Sequence, residues 1–495
     1  MKLFYNAKFY SMRKKGEYFS AILTENGKII ETFTKTPKRE NVEKIDLQDS
    51  FVYPGFIDTH THSFEGGLYS LSANLENVKN LDEVFQIIAE TKPISDKIFA
   101  FHFDENSVLE KRFPTKIELD KISPDIPLII RRVDGHSCVI NSKATEMIDW
   151  EKPLPTDFNG HLFKRQNGKA SNWFNRNLSD EFILKAYSRA AKIAVENGHT
   201  TVHTMVGNGF SDLKHFQLIK DNLNKFPVEF ILYPQISDVQ KALSVNSPRI
   251  GGCILADGSF GSYTAALSEP YSDNNKTSGI LYRSDEFWQN FIQKAHQNNL
   301  QIAIHCIGDK AIEQILKFYE KVESENPKNL KHIIIHNELT SNEILDRIAK
   351  ARVSVSMQPM FDRLWAGKDG LYENRLGKKR TLQTNRLASI FKRNILLAGG
   401  SDWYITDLNA LQGINAATKM HNKNEQLTPF QATEIYTKKA AEISNDDTKF
   451  GTLEKQKQAD FVVLKNDIFN EKNIDKIKIL ATIKKGKFVW KNGAK

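Results

Sequence analysis

The 495-residue chain is predicted to be an α/β protein: a (β/α)8 TIM-like barrel with a small β-sandwich formed from both termini and a long insertion after the first barrel strand. Three observations predict this. The centre of the chain alternates short apolar, β-rich runs with amphipathic helical stretches, the pattern of βα units around a parallel sheet. The two ends read only as strands and turns. The interval between the first and second central strands is too long for a βα loop.

At the N-terminus, Tyr18-Phe19-Ser20-Ala21-Ile22-Leu23-Thr24 alternates with strand period and runs into the turn Glu25-Asn26-Gly27-Lys28, the mark of a hairpin. The C-terminus offers Asp460-Phe461-Val462-Val463-Leu464, Ile479-Leu480-Ala481-Thr482-Ile483 and Lys487-Phe488-Val489-Trp490. Neither end has the apolar surface to fold alone. Residues 1–51 and 448–495 are therefore expected to form one β-domain around a hydrolase barrel of residues 52–447. In that central part, strand candidates end near His60, His203, Tyr233, Asp257, His305, His336, Met357 and Asp402. Between them lie helical stretches such as Asp180 to Glu196, where Ile183, Leu184, Tyr187, Ala191 and Ala194 recur at helical spacing. Residues 63–180 are expected to form a lid or subdomain over the barrel mouth.

Composition narrows the class. Hydrophobic residues at 40% and charged residues at 26% are ordinary for a globular protein. No run approaches the roughly 18 apolar residues of a membrane span, and Met1 to Lys15 lacks the apolar stretch of a signal peptide. Three cysteines, Cys138, Cys253 and Cys306, cannot build a disulfide framework, so a cytoplasmic location is expected. The net charge of +9 arises from basic residues interleaved with acids, with short runs only at Arg13 to Lys15, Lys378 to Arg380 and Lys484 to Lys487. That distribution describes a solvated surface rather than a nucleic-acid groove. The expected partner is a small-molecule substrate, with neither nucleic acid nor membrane; a homodimer is left open.

Chemistry concentrates in Pro54-Gly55-Phe56-Ile57-Asp58-Thr59-His60-Thr61-His62. Residues two apart in a strand face one side, so both imidazoles point into the barrel at its C-terminal rim. Neutral imidazole is a ligand for zinc-like metals. Two further apolar runs, Ile302-Ala303-Ile304-His305 and Ile333-Ile334-Ile335-His336, close on a histidine, and Leu396-Leu397-Ala398-Gly399-Gly400-Ser401-Asp402 closes on a carboxylate. A single histidine ending a buried strand is ordinarily a hydrogen-bonded core residue. Four histidines and an aspartate at strand ends one, five, six and eight point to a metal centre.

On these residues the chain resembles the amidohydrolase superfamily, specifically the amidohydrolase 3 group that includes N-substituted formamide deformylase. The likeness extends through Asp134-Gly135-His136-Ser137 to Asn141-Ser142-Lys143-Ala144, Asp257-Gly258-Ser259, Glu269-Pro270-Tyr271-Ser272-Asp273, His305 to Ala311, Gly400-Ser401-Asp402-Trp403 and Gly451 to Phe461. It implies metal-dependent hydrolysis of a non-peptide C–N bond in a small molecule, with zinc, one or two ions per chain, as cofactor. It assigns His60, His62, Cys253, His305, His336 and Asp402 to the metal. Asp402 would be the general base and acid, with His136 and His203 polarising the substrate carbonyl or supporting the ligands. The same site could serve an ester, lactone or phosphotriester, or the barrel could be catalytically silent and used for binding.

One position departs from the group. Relatives carry a lysine four residues before Asp-Gly-Ser, and its carbamate bridges two metals; here Gly251-Gly252-Cys253-Ile254-Leu255-Ala256-Asp257 puts Cys253 there. Either the site has decayed or a thiolate replaces one monoanionic ligand by another, as in the similar D-aminoacylases. Retention of the other ligand positions favours the thiolate, and sulfur favours zinc over magnesium or manganese. A tight ion on Cys253, His305 and His336 is then expected, with a weaker position at His60 and His62. Cys138 and Cys306 are expected to be packing residues. Phe361, Trp365, Trp403 and Tyr404 fall in loops where apolar substrate groups could rest, and loop packing accounts for them equally well.

Overall fold

The structure, a computed structural model, describes residues 1–133, 135, 137–176, 178–207 and 213–493. It divides into two compact units, residues 1–62 with 191–495, and residues 63–190.

In the first unit the predicted hairpin forms between strands Tyr18–Glu25 and Lys28–Phe33. Its turn residues Asn26 and Gly27 have φ of 49° and 79°, the left-handed pair that a two-residue hairpin of this twist requires. This hairpin is one edge of a seven-stranded sheet ordered Lys487–Lys491, Ile479–Lys484, Phe461–Leu464, Glu43–Pro54, Lys2–Tyr10, Tyr18–Glu25, Lys28–Phe33. The ends of the chain meet where Glu43–Pro54 runs parallel to Lys2–Tyr10 and antiparallel to Phe461–Leu464. Where a sandwich is expected, the strands form one continuous sheet that curls on itself. Phe4 and Phe488 stand four strands apart, which a flat sheet would hold about 19 Å apart, yet their ring centroids are 6.3 Å apart. The curl encloses Phe4, Phe9, Ile22, Val52, Phe461, Val463 and Ile483 in one apolar cluster.

The rest of this unit is built on eight parallel strands: β1 (Phe56–Thr61), β2 (His199–Val206), β3 (Glu229–Pro234), β4 (Arg249–Leu255), β5 (Gln301–Cys306), β6 (Ile333–His336), β7 (Ser354–Met357) and β8 (Leu397–Gly399). They pair as one sheet of order β3-β2-β1 and another of order β4-β5-β6-β7-β8. All their residues except Glu229, Arg249 and Leu255 are buried, as in strands covered on both sides. Ile302, Ile304, Ile334, Val355 and Leu397 pack outward with helix residues such as Phe291, Ile312 and Ile348. Ile57, Met205, Ile231, Cys253, Ala303, Ile335 and Ala398, drawn from both sheets, form a second cluster on the other face. Beyond the end of β1, Thr61 bridges Trp403 in parallel sense, Asp402 N–H donates to His60 O at 2.9 Å, and His62 N–H donates to Trp403 O at 2.6 Å. Helices Asp285–Gln297, Asp309–Glu325 and Asn342–Lys350 follow β4, β5 and β6.

The second unit has a five-stranded sheet ordered His161–Phe163, Ser137–Ile140, Leu128–Arg132, Ile98–Phe103, Ala73–Asn74. Its core includes Val84, Ile98, Phe103, Leu128, Ile130 and Val139. The helix read from the sequence as Asp180 to Glu196 has those bounds. Among the described residues no helix is long and apolar enough to cross a membrane.

Phe461 is fully buried with its ring edge-on to Phe4 and Phe9. Phe461→Ala is expected to destabilise the protein by about 3–5 kcal/mol, read as a lowered midpoint in urea unfolding. A midpoint equal to the parent's would show that the two ends do not share a working core.

Candidate metal centre

β1 delivers the His-x-His pair to the same point. The rings of His60 and His62 lie 5.3 Å apart and nearly perpendicular. Their Nε2 atoms stand 3.2 Å and 3.3 Å from Asp402 Oδ1. His336, the last residue of β6, and Asp402, past the end of β8, take left-handed backbones, with φ of 71° and 55°. Such conformations are uncommon outside glycine and cluster where side chains are held for function. The ring of His336 lies 5.4 Å from that of His60 and 4.5 Å from that of His305. Two groups have ligand atoms all within 4.8 Å of one another: His60, His62 and Cys253, and His60, His336 and Asp402.

These donors fit a metal ion. Both ring nitrogens of His60, Nδ1 of His305 and Oδ1 of Asp402 are buried without a hydrogen-bond partner. His60 Nε2 and Asp402 Oδ1 stand at ion-pair distance, 3.2 Å, without hydrogen-bond geometry, as groups do that are aimed at a common point. A set of imidazoles, a thiol and a carboxylate is chemistry that holds zinc.

The electrostatics say the same. Burial pushes the Cys253 thiol up, but His305, His336, His60 and His62 face it, and together they hold it well below its ordinary value. Asp402, likewise opposed by burial, is held well below the carboxylate range by His60 and His62. The two anions act back on the imidazoles. Against burial, Asp402 and Cys253 raise His60, and they raise His62 well above its usual value. Cys253 raises His305 to about 9. His336 goes the other way, to about 4, because of burial and the charge on His305. Two buried anions thus require positive charge between them, which protons on the imidazoles or a divalent cation can supply.

Residues that sequence reading did not single out fix this geometry. Gln358 Oε1 accepts a hydrogen bond from His336 Nδ1 at 2.7 Å, which leaves the Nε2 lone pair for a ligand bond. His305 Nε2 donates to Gly258 O at 3.1 Å, which leaves Nδ1 with the free pair. Asp58 accepts from the backbone N–H groups of His60 and Ser401 and so ties β1 to the segment that carries Asp402. Asp257 accepts from the N–H groups of Ile307, Gly308 and Ala266, and burial raises it to about 6. A Gln immediately after a buried strand was the one visible mark of such a role for Gln358.

The sequence grouped Cys253 with His305 and His336. In the structure Cys253 faces both of those histidines and also falls within ligand distance of His60 and His62, while His305 belongs to neither group of three. The tie of His305 Nε2 to Gly258 O accounts for its orientation. His203 is fully buried on β2, its ring stacked on Tyr233 at 5.8 Å and both nitrogens without partners; burial and then the charge of Arg249 keep it neutral. His136 lies outside the described residues. Cys138 and Cys306 are buried thiols, and burial pushes Cys138 up to about 12. Phe361 stacks on His336 at 5.7 Å and 11°, and Trp365 packs on Phe361 at 4.5 Å.

A third group, His296, Glu323 and His332, has ligand-like spacing but no free imidazole lone pair. Ile302 N–H donates to His332 Nδ1, so His332 carries its proton on Nε2 and gives it to His296 Nδ1 at 2.9 Å. His296 in turn donates from Nε2 to Asn326 O at 2.7 Å. All four ring nitrogens are spent, and the group is a structural tie.

The Amidohydrolase family profile matches residues 43–490, and the chain belongs to that family. It is 27% identical to the amidohydrolase-family protein YtcJ of Bacillus subtilis over 536 aligned positions, covering 99% of each chain. It is 22% identical to the N-substituted formamide deformylase of Arthrobacter pascens, covering 93% of each chain. The crystal structure of an uncharacterized metal-dependent hydrolase from Pyrococcus horikoshii OT3 superposes with a TM-score of 0.84 at 25% identity, over 95% of this chain and 99% of that one.

Gln358→Leu keeps the volume but removes the acceptor for His336. It should weaken zinc binding about 10–100-fold, measured by competition with a coloured chelator; parental affinity would show that Gln358 does not orient His336.

Proposed function

We propose that the chain hydrolyses a non-peptide C–N bond of amide type in a small molecule, with zinc held by His60, His62, Cys253, His305, His336 and Asp402. The observation that carries this reading is the convergence of buried donor atoms, on His60, His305 and Asp402, that have no hydrogen-bond partner. Family membership and the similarity to a formamide deformylase favour a C–N substrate. The eight strands are read as one closed barrel, on the cluster that draws side chains from both sheets and the bridge from Thr61 to Trp403.

When bound, the metal supplies Lewis acidity, lowering the pKa of water and polarising the scissile carbonyl. The chain supplies the rest. Asp402 is anionic because His60 and His62 face it, and it is the group to accept the proton of the attacking water and return it to the leaving nitrogen. His203 is neutral with both nitrogens unspent, so one N–H is available to a substrate oxygen. Phe361, fixed by its stack on His336, offers an apolar face beside the reacting centre.

Asp402→Asn should lower turnover of N-formyl or N-acyl amines by at least about 100-fold, with zinc content close to the parent's by elemental analysis. A variant with most of its activity intact would remove Asp402 from the proton transfers.

A further inference from the structure

β4 breaks its pairing with β5 immediately before Cys253. Gly251 lies opposite Ala303 and Ile254 opposite Ile304, so Gly252 and Cys253 have no counterpart on β5. Both glycines are left-handed, with φ of 96° and 80°, a conformation that residues with a Cβ rarely adopt. Neither has room for a side chain. A Cβ on Gly251 would stand 2.3 Å from Ala303 O, and one on Gly252 would stand 2.4 Å from Met205 Sδ and 2.9 Å from Tyr233 Cβ. On its other side, no strand pairing joins β4 to β3 among the described residues. The carbonyl of Cys253 instead accepts from Gln235 Nε2 at 2.9 Å, so the side chain of Gln235 takes the place of a ladder partner.

A bulge re-aims the side chain it carries. Cysteine has one heavy atom beyond Cβ, so the backbone that carries it decides whether its sulfur reaches the histidines. Cys253 is indeed buried among Met205, Tyr233 and Ala303 with the four histidines facing it. We propose that the Gly251-Gly252 bulge and the Gln235 amide are a positioning device that carries the Cys253 sulfur to the metal. The inference rests on the reading of Cys253 as a metal ligand.

Cobalt(II) is the probe, because a cobalt–thiolate bond gives a charge-transfer absorption in the near ultraviolet whether or not a substrate is known. The full-length parent should show the band and Cys253→Ala should lack it. Gly252→Ala should lose most of the band and bind cobalt about 10–100-fold more weakly, and Gln235→Leu should weaken binding about 10-fold, each with the parent's circular dichroism. If Gly252→Ala does not fold, Gln235→Leu, which introduces no left-handed Cβ, decides the matter. Folded variants with the parent's band and affinity would overturn the positioning role while leaving Cys253 a ligand. A parent protein without the band would remove the ligand reading, and this inference with it.

Discussion

Two buried anions govern the centre of this protein. Cys253 and Asp402 sit among four histidines at the ends of parallel strands, and these histidines shift both toward their ionised forms against the burial that opposes it. A buried charge without compensation is among the costliest features a fold can carry. Much of the local architecture reads as the compensation. The left-handed turns at His336 and Asp402, the double-glycine bulge before Cys253 and the Asp58 tie between β1 and Ser401 all bring donors to one place. The hydrogen bonds to Gln358 and Gly258 then turn the imidazole lone pairs inward.

The same constraint separates this centre from its imitation. His296, His332 and Glu323 are as closely spaced, yet their nitrogens form a closed relay from Ile302 N–H to Asn326 O, and nothing in it calls for a cation. At the strand ends, unspent donors face unspent acceptors. Spacing alone does not distinguish the two groups; the hydrogen-bond inventory does.

The sequence made the fifth and sixth strand ends legible because apolar runs close there on His305 and His336, whereas the second strand runs on to Val206, past His203, and the eighth stops at Gly399, before Asp402. The helix at 180–196 was legible from its period, and the terminal strands from alternation and the Asn26-Gly27 turn. What escaped was geometry that period-two reasoning cannot encode. Gly251 and Gly252 read as weak strand residues, and nothing in their order announces that β5 has no partners for Gly252 and Cys253. Nor does that order announce that Cys253 reaches His60 and His62 as well as His305 and His336. The single curled sheet in place of a sandwich depends on strands far apart in sequence meeting through Phe4 and Phe488, a long-range fact with no local mark.

The account stands or falls on the sulfur of Cys253. The most direct measurement is X-ray absorption at the zinc edge on the fully loaded protein. A thiolate in the coordination sphere gives a sulfur scatterer at about 2.3 Å, distinct from imidazole and carboxylate at about 2.0–2.2 Å. The account predicts one sulfur per site, lost in Cys253→Ala. A coordination sphere of nitrogen and oxygen alone in the parent protein would contradict it.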